Sequence, residues 1–235
     1  MSLTPLAAQA DDGDAMYRAT LTELNGSGGS GSFMLTVDGD DATVEMNWNG
    51  LAETFKDGPF PHVQHIHIGG QGKCPTPSAD KNGDDVISTP EGQASYGGIG
   101  TTLSVKGDTS AKSATDITIA PGGSSLDYKR TFKLNADTRS ALKDGTGVVV
   151  VHGLDPSTMS KKAQKAKSPL VSSLPLAATA PALCGPISAA PTGGADTGTG
   201  STSGIEHAGL FGLGGLLIAG GVLAGARLRK TAKAS

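Results

Sequence analysis

Residues 61–70 read PHVQHIHIGG, and this stretch decides what kind of chain this is. His65 and His67 flank a single isoleucine. On an extended strand, residues i and i+2 point to the same face, so both imidazoles can grip one ion. Neutral imidazole is a good ligand for copper or zinc. Further along, GVVVVH (147–152) is an apolar run that ends in His152, so a third imidazole is presented at a strand's end. His62 is a further candidate ligand, although its odd offset from His65 turns it to the other face of a regular strand. An HxH pair alone is a weak signal, because an exposed strand produces it by chance.

Working outward, the chain between Ala15 and Ile187 is a series of short strand-like runs. Tyr17–Leu24, Gly31–Val37 (GSFMLTV) and Ala42–Trp48 (ATVEMNW) alternate between apolar and polar residues. Later come Gly100–Val105, Ala114–Ile119, Lys129–Leu134 (KRTFKL) and Gly147–His152. The segments NGSGGSG, VDGDD, KDGP, APGG and KDGTG punctuate them with turn residues. No long helical period interrupts this pattern. The expectation is an all-β fold, a closed barrel or a two-sheet antiparallel sandwich.

Composition sets the rest of the frame. The 235 residues include 35 Gly, and only 4% of them are aromatic, which suits turn-rich β structure with an unfolded stretch appended. The net charge is −3, and no RNA- or DNA-reading motif is present, so a nucleic-acid partner is not expected. GSGGSG lacks the lysine and the strand-to-helix context of a phosphate loop. Neither a Ser/His/Asp arrangement nor a Cys/His or paired-carboxylate one stands out.

The C-terminal end carries a second message. Residues 208–226, AGLFGLGGLLIAGGVLAGA, form a charge-free apolar run followed at once by RLRKTAK. Nineteen residues at about 1.5 Å each nearly match the hydrocarbon thickness of a bilayer. The basic tail, 227–235, is the cytoplasmic stop that the positive-inside rule expects. Residues 189–207, rich in Gly, Thr and Ser, read as a disordered stalk. The N-terminal residues 1–10 read as the remnant of a signal peptide, with Ala8-Gln9-Ala10 as an A-x-A-like site. The expected localisation is the cell surface, with the membrane as partner through the C-terminal helix and residues 11–188 as the folded part outside. Stalk, apolar segment and basic tail together resemble a cell-wall sorting signal of Gram-positive bacteria, without its LPxTG motif. Cys74 and Cys184, far apart and in no CxxC pair, read as one structural disulfide of an exported protein. Two buried free thiols in a cytosolic protein are the alternative, and the targeting signals weigh against it.

The order HIH, Cys74, VVVVHGLD, ALCGPI resembles the Cu/Zn superoxide dismutase family. That family has an HxH pair, a cysteine soon after, a later histidine behind a VVVH-like strand, and a closing cysteine. The resemblance covers residues 15 to 188, and the HIHIGG stretch is also similar to CHRD (chordin-type) domains. It implies a Greek-key β-sandwich or barrel, copper on His65, His67 and His152, a Cys74–Cys184 disulfide, and a small anion such as superoxide as partner. The departures are equally plain. No histidine lies between His67 and His152, so the family's zinc site and its bridging imidazole are absent and no zinc is expected. Pro181 stands where the family places an arginine that guides the anion. Lys161, Lys162, Lys165 and Lys167 occupy the region of the family's charged loop, where a positive rim would speed an anion's arrival; a plain solvated lysine loop is the simpler reading.

Residues 80–91, DKNGDDVISTPE, fit a calcium-loop pattern. Asp80, Asn82 and Asp84 would give side-chain oxygens, Val86 its carbonyl, Ser88 a side chain or water, and Glu91 both carboxylate oxygens. The pattern wants glycine at the sixth position, where this chain has Asp85. An acidic surface loop of fortuitous pattern is the alternative.

Three functional readings follow from these residues. The first is an exported, surface-anchored copper-binding domain without turnover. An active copper-only superoxide dismutase is the second. The third is a structural or adhesive module stiffened by calcium and a disulfide.

Overall fold

The computed structural model describes residues 14–190. The expectations for residues 1–10, for the stalk beyond residue 190, for the 208–226 span and for the basic tail lie outside the described residues. No helix among the described residues is long and apolar enough to cross a membrane.

Nine strands form one antiparallel sheet. They are β1 (Ala15–Glu23), β2 (Ser30–Asp38), β3 (Asp41–Asn49), β6 (Gln64–Gly69), β7 (Gly97–Thr102), β8 (Ser125–Lys133), β9 (Val148–His152), β10 (Pro181–Pro186) and β11 (Ser188–Ala189). Two-residue strands β4 (Thr54–Phe55) and β5 (Gly58–Pro59) make a separate small ribbon. The order across the main sheet is β7-β6-β9-β10-β1-β2-β3-β8, with β11 also on β1. β1 changes partner along its length: Tyr17 and Arg18 face β11, while Thr22 and Glu23 face β10. This handover curls the sheet.

Alternation places the core. Tyr17, Ala19 and Leu21 of β1 are buried, as are Phe33 and Leu35 of β2 and Ala42, Val44, Met46 and Trp48 of β3. Their neighbours in sequence face water, as a half-buried antiparallel strand requires. β6, β9 and β10 differ, because they are covered on both faces. In β9, Val149 and Val151 join the main core. Val148 and Val150 join a smaller cluster with Tyr96 and Cys184, against which Cys74 packs. Full burial of each such valine stabilises the fold by about 1.5–3 kcal/mol.

Four sequence expectations need correction here. The sheet is a curled half-barrel and not a closed barrel, for it ends at β7 and β8. The segment after β7 bridges that gap: the Leu103 amide donates to the Gln64 carbonyl at 2.8 Å. On the other side, Tyr128 and Arg130 of β8 donate to the Ser104 carbonyl at 3.1 and 2.7 Å. Residues 114–119 are not a strand. Asp116 caps a 3-10 turn over Ile117–Ile119 by accepting from the Thr118 amide, a local bond that competes with ladder pairing. The expected Gly100–Val105 strand begins and ends earlier, as β7. Lastly, Ala189 pairs with Tyr17, so the folded part reaches into the stretch expected to be stalk.

Three short helices complete the domain: α1 (Thr89–Tyr96), α2 (Ala136–Lys143) and α3 (Lys161–Lys165). α1 opens with a capping box in which Ser88 and Glu91 satisfy each other's backbone amides. Asn25, in the β1–β2 turn, fixes the loop that leads into α1. Its amide donates to the Ile87 and Pro181 carbonyls, and its oxygen accepts from the Ile87 amide.

Candidate metal centre

Register brings the histidines together. β6 pairs with β9 so that His65 lies opposite Val150 and His67 opposite Val148. His152 follows Val150 by two residues, so all three imidazoles share the face opposite Ile66, Val149 and Val151. One nitrogen from each of His65, His67 and His152 lies within 4.8 Å of the other two. The ring centroids are 5.2 to 5.8 Å apart. All three side chains are buried, at 1–3% exposure. Among the described residues this is the one group of three or more metal-ligating side chains drawn together in this way.

The hydrogen bonds divide each ring into a held side and an open side. His65 Nε2 donates to the Ala114 carbonyl at 3.0 Å. His67 Nδ1 donates to Gly97 at 3.0 Å, and His152 Nδ1 to Thr179 at 2.9 Å. The opposite atoms, His65 Nδ1, His67 Nε2 and His152 Nε2, are buried without a partner, and they are the only such side-chain atoms among the described residues. A buried polar atom without a partner costs free energy, and here three of them converge. Anchoring one nitrogen to a carbonyl fixes the tautomer and leaves the other nitrogen's lone pair directed inward, as metal-ligating histidines require.

Burial also keeps these rings neutral. Desolvation pulls His152 down to about 4 and His67 down to about 3, the latter helped by His152 nearby. His65 falls well below the ordinary histidine value, chiefly through burial and then through its two histidine neighbours. Neutral rings with free lone pairs are the form that binds a transition metal. Three imidazole donors suit copper or zinc, and the residues present therefore fit such an ion.

His62 is not brought into this group. It is fully buried, stacked on Phe60 at 4.8 Å and edge-on to Trp48 at 5.0 Å. Both of its nitrogens face carbonyls at 2.9 Å, those of His152 and Ala52. Its contact with the His152 carbonyl ties it to the backbone of the strand end that carries that ligand candidate.

The residues of the calcium pattern form one loop, in which the carboxylates of Asp80, Asp84 and Glu91 accept hydrogen bonds within the protein. Asp80 accepts from the amides of Gly83 and Asp85, and Glu91 accepts from Lys81 and Ser88. Asp84 is buried and accepts from the Val86 amide. Asp85 adopts φ 67, a conformation that aspartate tolerates, where the pattern asks for glycine. The Lys162 ammonium donates to the Asn82 and Gly83 carbonyls at 2.6 and 3.1 Å, so this lysine is turned onto the loop. Pro181 lies across the ladder from His152. Cys74 and Cys184 are joined in a disulfide.

Sequence reasoning missed the second layer altogether. Ala114, Gly97 and Thr179 act through backbone carbonyls, which no side-chain pattern announces. Tyr96, edge-on to His67 at 4.6 Å, was missed as well.

No family model matches this chain, and no curated protein matches it. Among solved structures the chain is similar to a mutant of superoxide dismutase 5 from Candida albicans. The two are 14% identical, the match covers 79% of this chain and 98% of that one, and the TM-score is 0.40. A likeness at that level carries nothing about metal or activity over to this chain.

Proposed function

We propose that the domain binds one copper ion on His65 Nδ1, His67 Nε2 and His152 Nε2, and that it serves as a copper-holding module at the outer surface of its cell. The observation that carries this reading is the convergence of three buried, unpartnered imidazole nitrogens within 4.8 Å. Each is directed inward by a carbonyl on the far side of its ring. When bound, the metal would supply a one-electron couple. The chain's own residues would hold the ligand set neutral, fix its tautomers and shield it from water.

A position outside the cell is supported by the disulfide, which persists in oxidising compartments, and by the apolar run at 208–226 with its basic tail. Two features weigh against superoxide turnover. Pro181 stands in the place of the guiding arginine, and Lys162 is committed to the 80–91 loop.

The test is metal analysis of the full chain, purified in mild detergent with its disulfide intact and offered copper and zinc in turn. The expected result is about one copper per chain, falling to background in the double variant His65→Ala/His67→Ala, because the lost ligands cannot be replaced. Copper at background in the parent protein would overturn the reading in favour of a structural β module. A zinc preference would change the metal and keep the site.

A further inference from the structure

Helix α1 reaches two of the three histidines by three routes. At its C-terminal end, the Gly97 carbonyl accepts the His67 Nδ1–H at 3.0 Å. One residue earlier, Tyr96 sets its fully buried ring edge-on to the same imidazole. At the N-terminal end, the Thr89 hydroxyl donates to the Thr179 carbonyl at 2.7 Å, the same oxygen that accepts His152 Nδ1–H. The two ends are also tied to each other. The Tyr96 hydroxyl donates to the Thr89 carbonyl at 2.8 Å, with the phenol lying over Gly92, where any Cβ would come within 2.5 Å of it.

We infer that Thr89 and Tyr96 are positioning residues of the metal centre, setting through Thr179 and through ring contact how His152 and His67 present their lone pairs. The inference rests on the copper reading above. Thr89 shares an acceptor with His152, so losing its hydroxyl frees that carbonyl to turn and releases the ring it orients. Tyr96 cannot shift without breaking its bond to Thr89, so the two residues act as one brace between neighbouring ligands. The Tyr96 ring also packs in the smaller core cluster with Val148, Val150 and Cys184, while the half-buried Thr89 hydroxyl is spent on the Thr179 carbonyl.

The test compares Thr89→Val, Thr89→Ser and Tyr96→Phe with the parent in the full chain. Copper affinity is read by competition with a chromophoric chelator, ligand geometry by Cu(II) electron paramagnetic resonance, and fold by the melting temperature of the metal-free protein. Loss of an outer-layer partner weakens metal binding by roughly 10- to 100-fold. Thr89→Val is expected to fall in that range with altered copper spectra, while Thr89→Ser restores parental binding. Tyr96→Phe, which keeps the ring, should weaken binding less and shift the spectra in the same sense. If both Thr89→Val and Tyr96→Phe bind copper like the parent, the inference is wrong and the copper reading survives. If affinity falls only in step with metal-free stability, or if Thr89→Ser is as weak as Thr89→Val, the residues are merely structural and the inference again fails. A parent that takes up no copper removes the reading and this inference with it. Should Thr89→Val not fold, Tyr96→Phe and Thr89→Ser still decide the matter.

Discussion

A histidine that gives its ring proton to a buried carbonyl keeps a lone pair on the opposite side, and three of the four buried histidines among the described residues do so with those lone pairs turned toward one another. The fourth, His62, shows the contrast, since both its nitrogens meet carbonyls. The chemistry of each ring follows from what its far edge touches. In the metal-free fold His152 and His67 hold protons only below about 4 and about 3, whereas an unfolded histidine takes one up near 6.5. Between those limits the unfolded chain binds more protons than the folded one, so stability rises with pH across the window. Taking metal-free protein from pH 7 to pH 5 is therefore expected to lower its unfolding free energy by on the order of a few kcal/mol. Urea melts at the two pH values check this, and a flat profile would mean that the rings are not held neutral by the fold. Bound copper should steepen the dependence, because acid then competes with the metal as well.

At the scale of elements, the β6–β9 ladder fixes which histidines meet, and α1 braces two of them, His67 and His152. The alternation of Ala42–Trp48, the shared face of His65 and His67, and the apolar run ending in His152 were all legible from residue order, because period-two alternation survives any tertiary arrangement. α1 was not. It has only eight residues, includes Pro90 and Gly92, and carries no apolar stripe to announce it; its start is set by the Ser88–Glu91 box. Likewise, apolar-polar alternation in residues 114–119 looked like a strand, yet Asp116 holds the Thr118 amide and turns the chain. Two substitutions probe this level. Glu91→Ala removes the box and the acceptor for the Lys81 amide, and is expected to cost about 1 kcal/mol by chemical denaturation. Gly92→Ala forces the Tyr96 phenol out of place and should cost about 1–3 kcal/mol, the range for overpacking a tight site. A neutral Gly92→Ala would show that the phenol has room to move.

Over the whole molecule, the disulfide bridges a sequence separation of 110 residues, joining the loop after β6 to β10 beneath Tyr96. Closing so long a loop lowers the entropy of the unfolded chain, and reduction is expected to cost on the order of 4–5 kcal/mol. A melt of reduced against oxidised protein measures it, and a difference under about 1 kcal/mol would place the domain's stability in the sheet alone. The pairing of these cysteines was foreseen from their number and context. The curl of the sheet was not, because nothing in β1's own residues tells that its two halves serve different partners.

The chain leaves the described domain at β11, which is held to β1 by the Tyr17–Ala189 and Arg18–Ser188 pairs and by the Ala190 amide on the Met16 carbonyl. A pull on Ala190 would load this short ladder before any other. The Ile187 amide on Gly147 comes next, and only beyond it lie β10 and the histidine strands. Under such a pull β11 would part from β1 first, and the β6–β9 ladder that keeps the three imidazoles in register lies behind it.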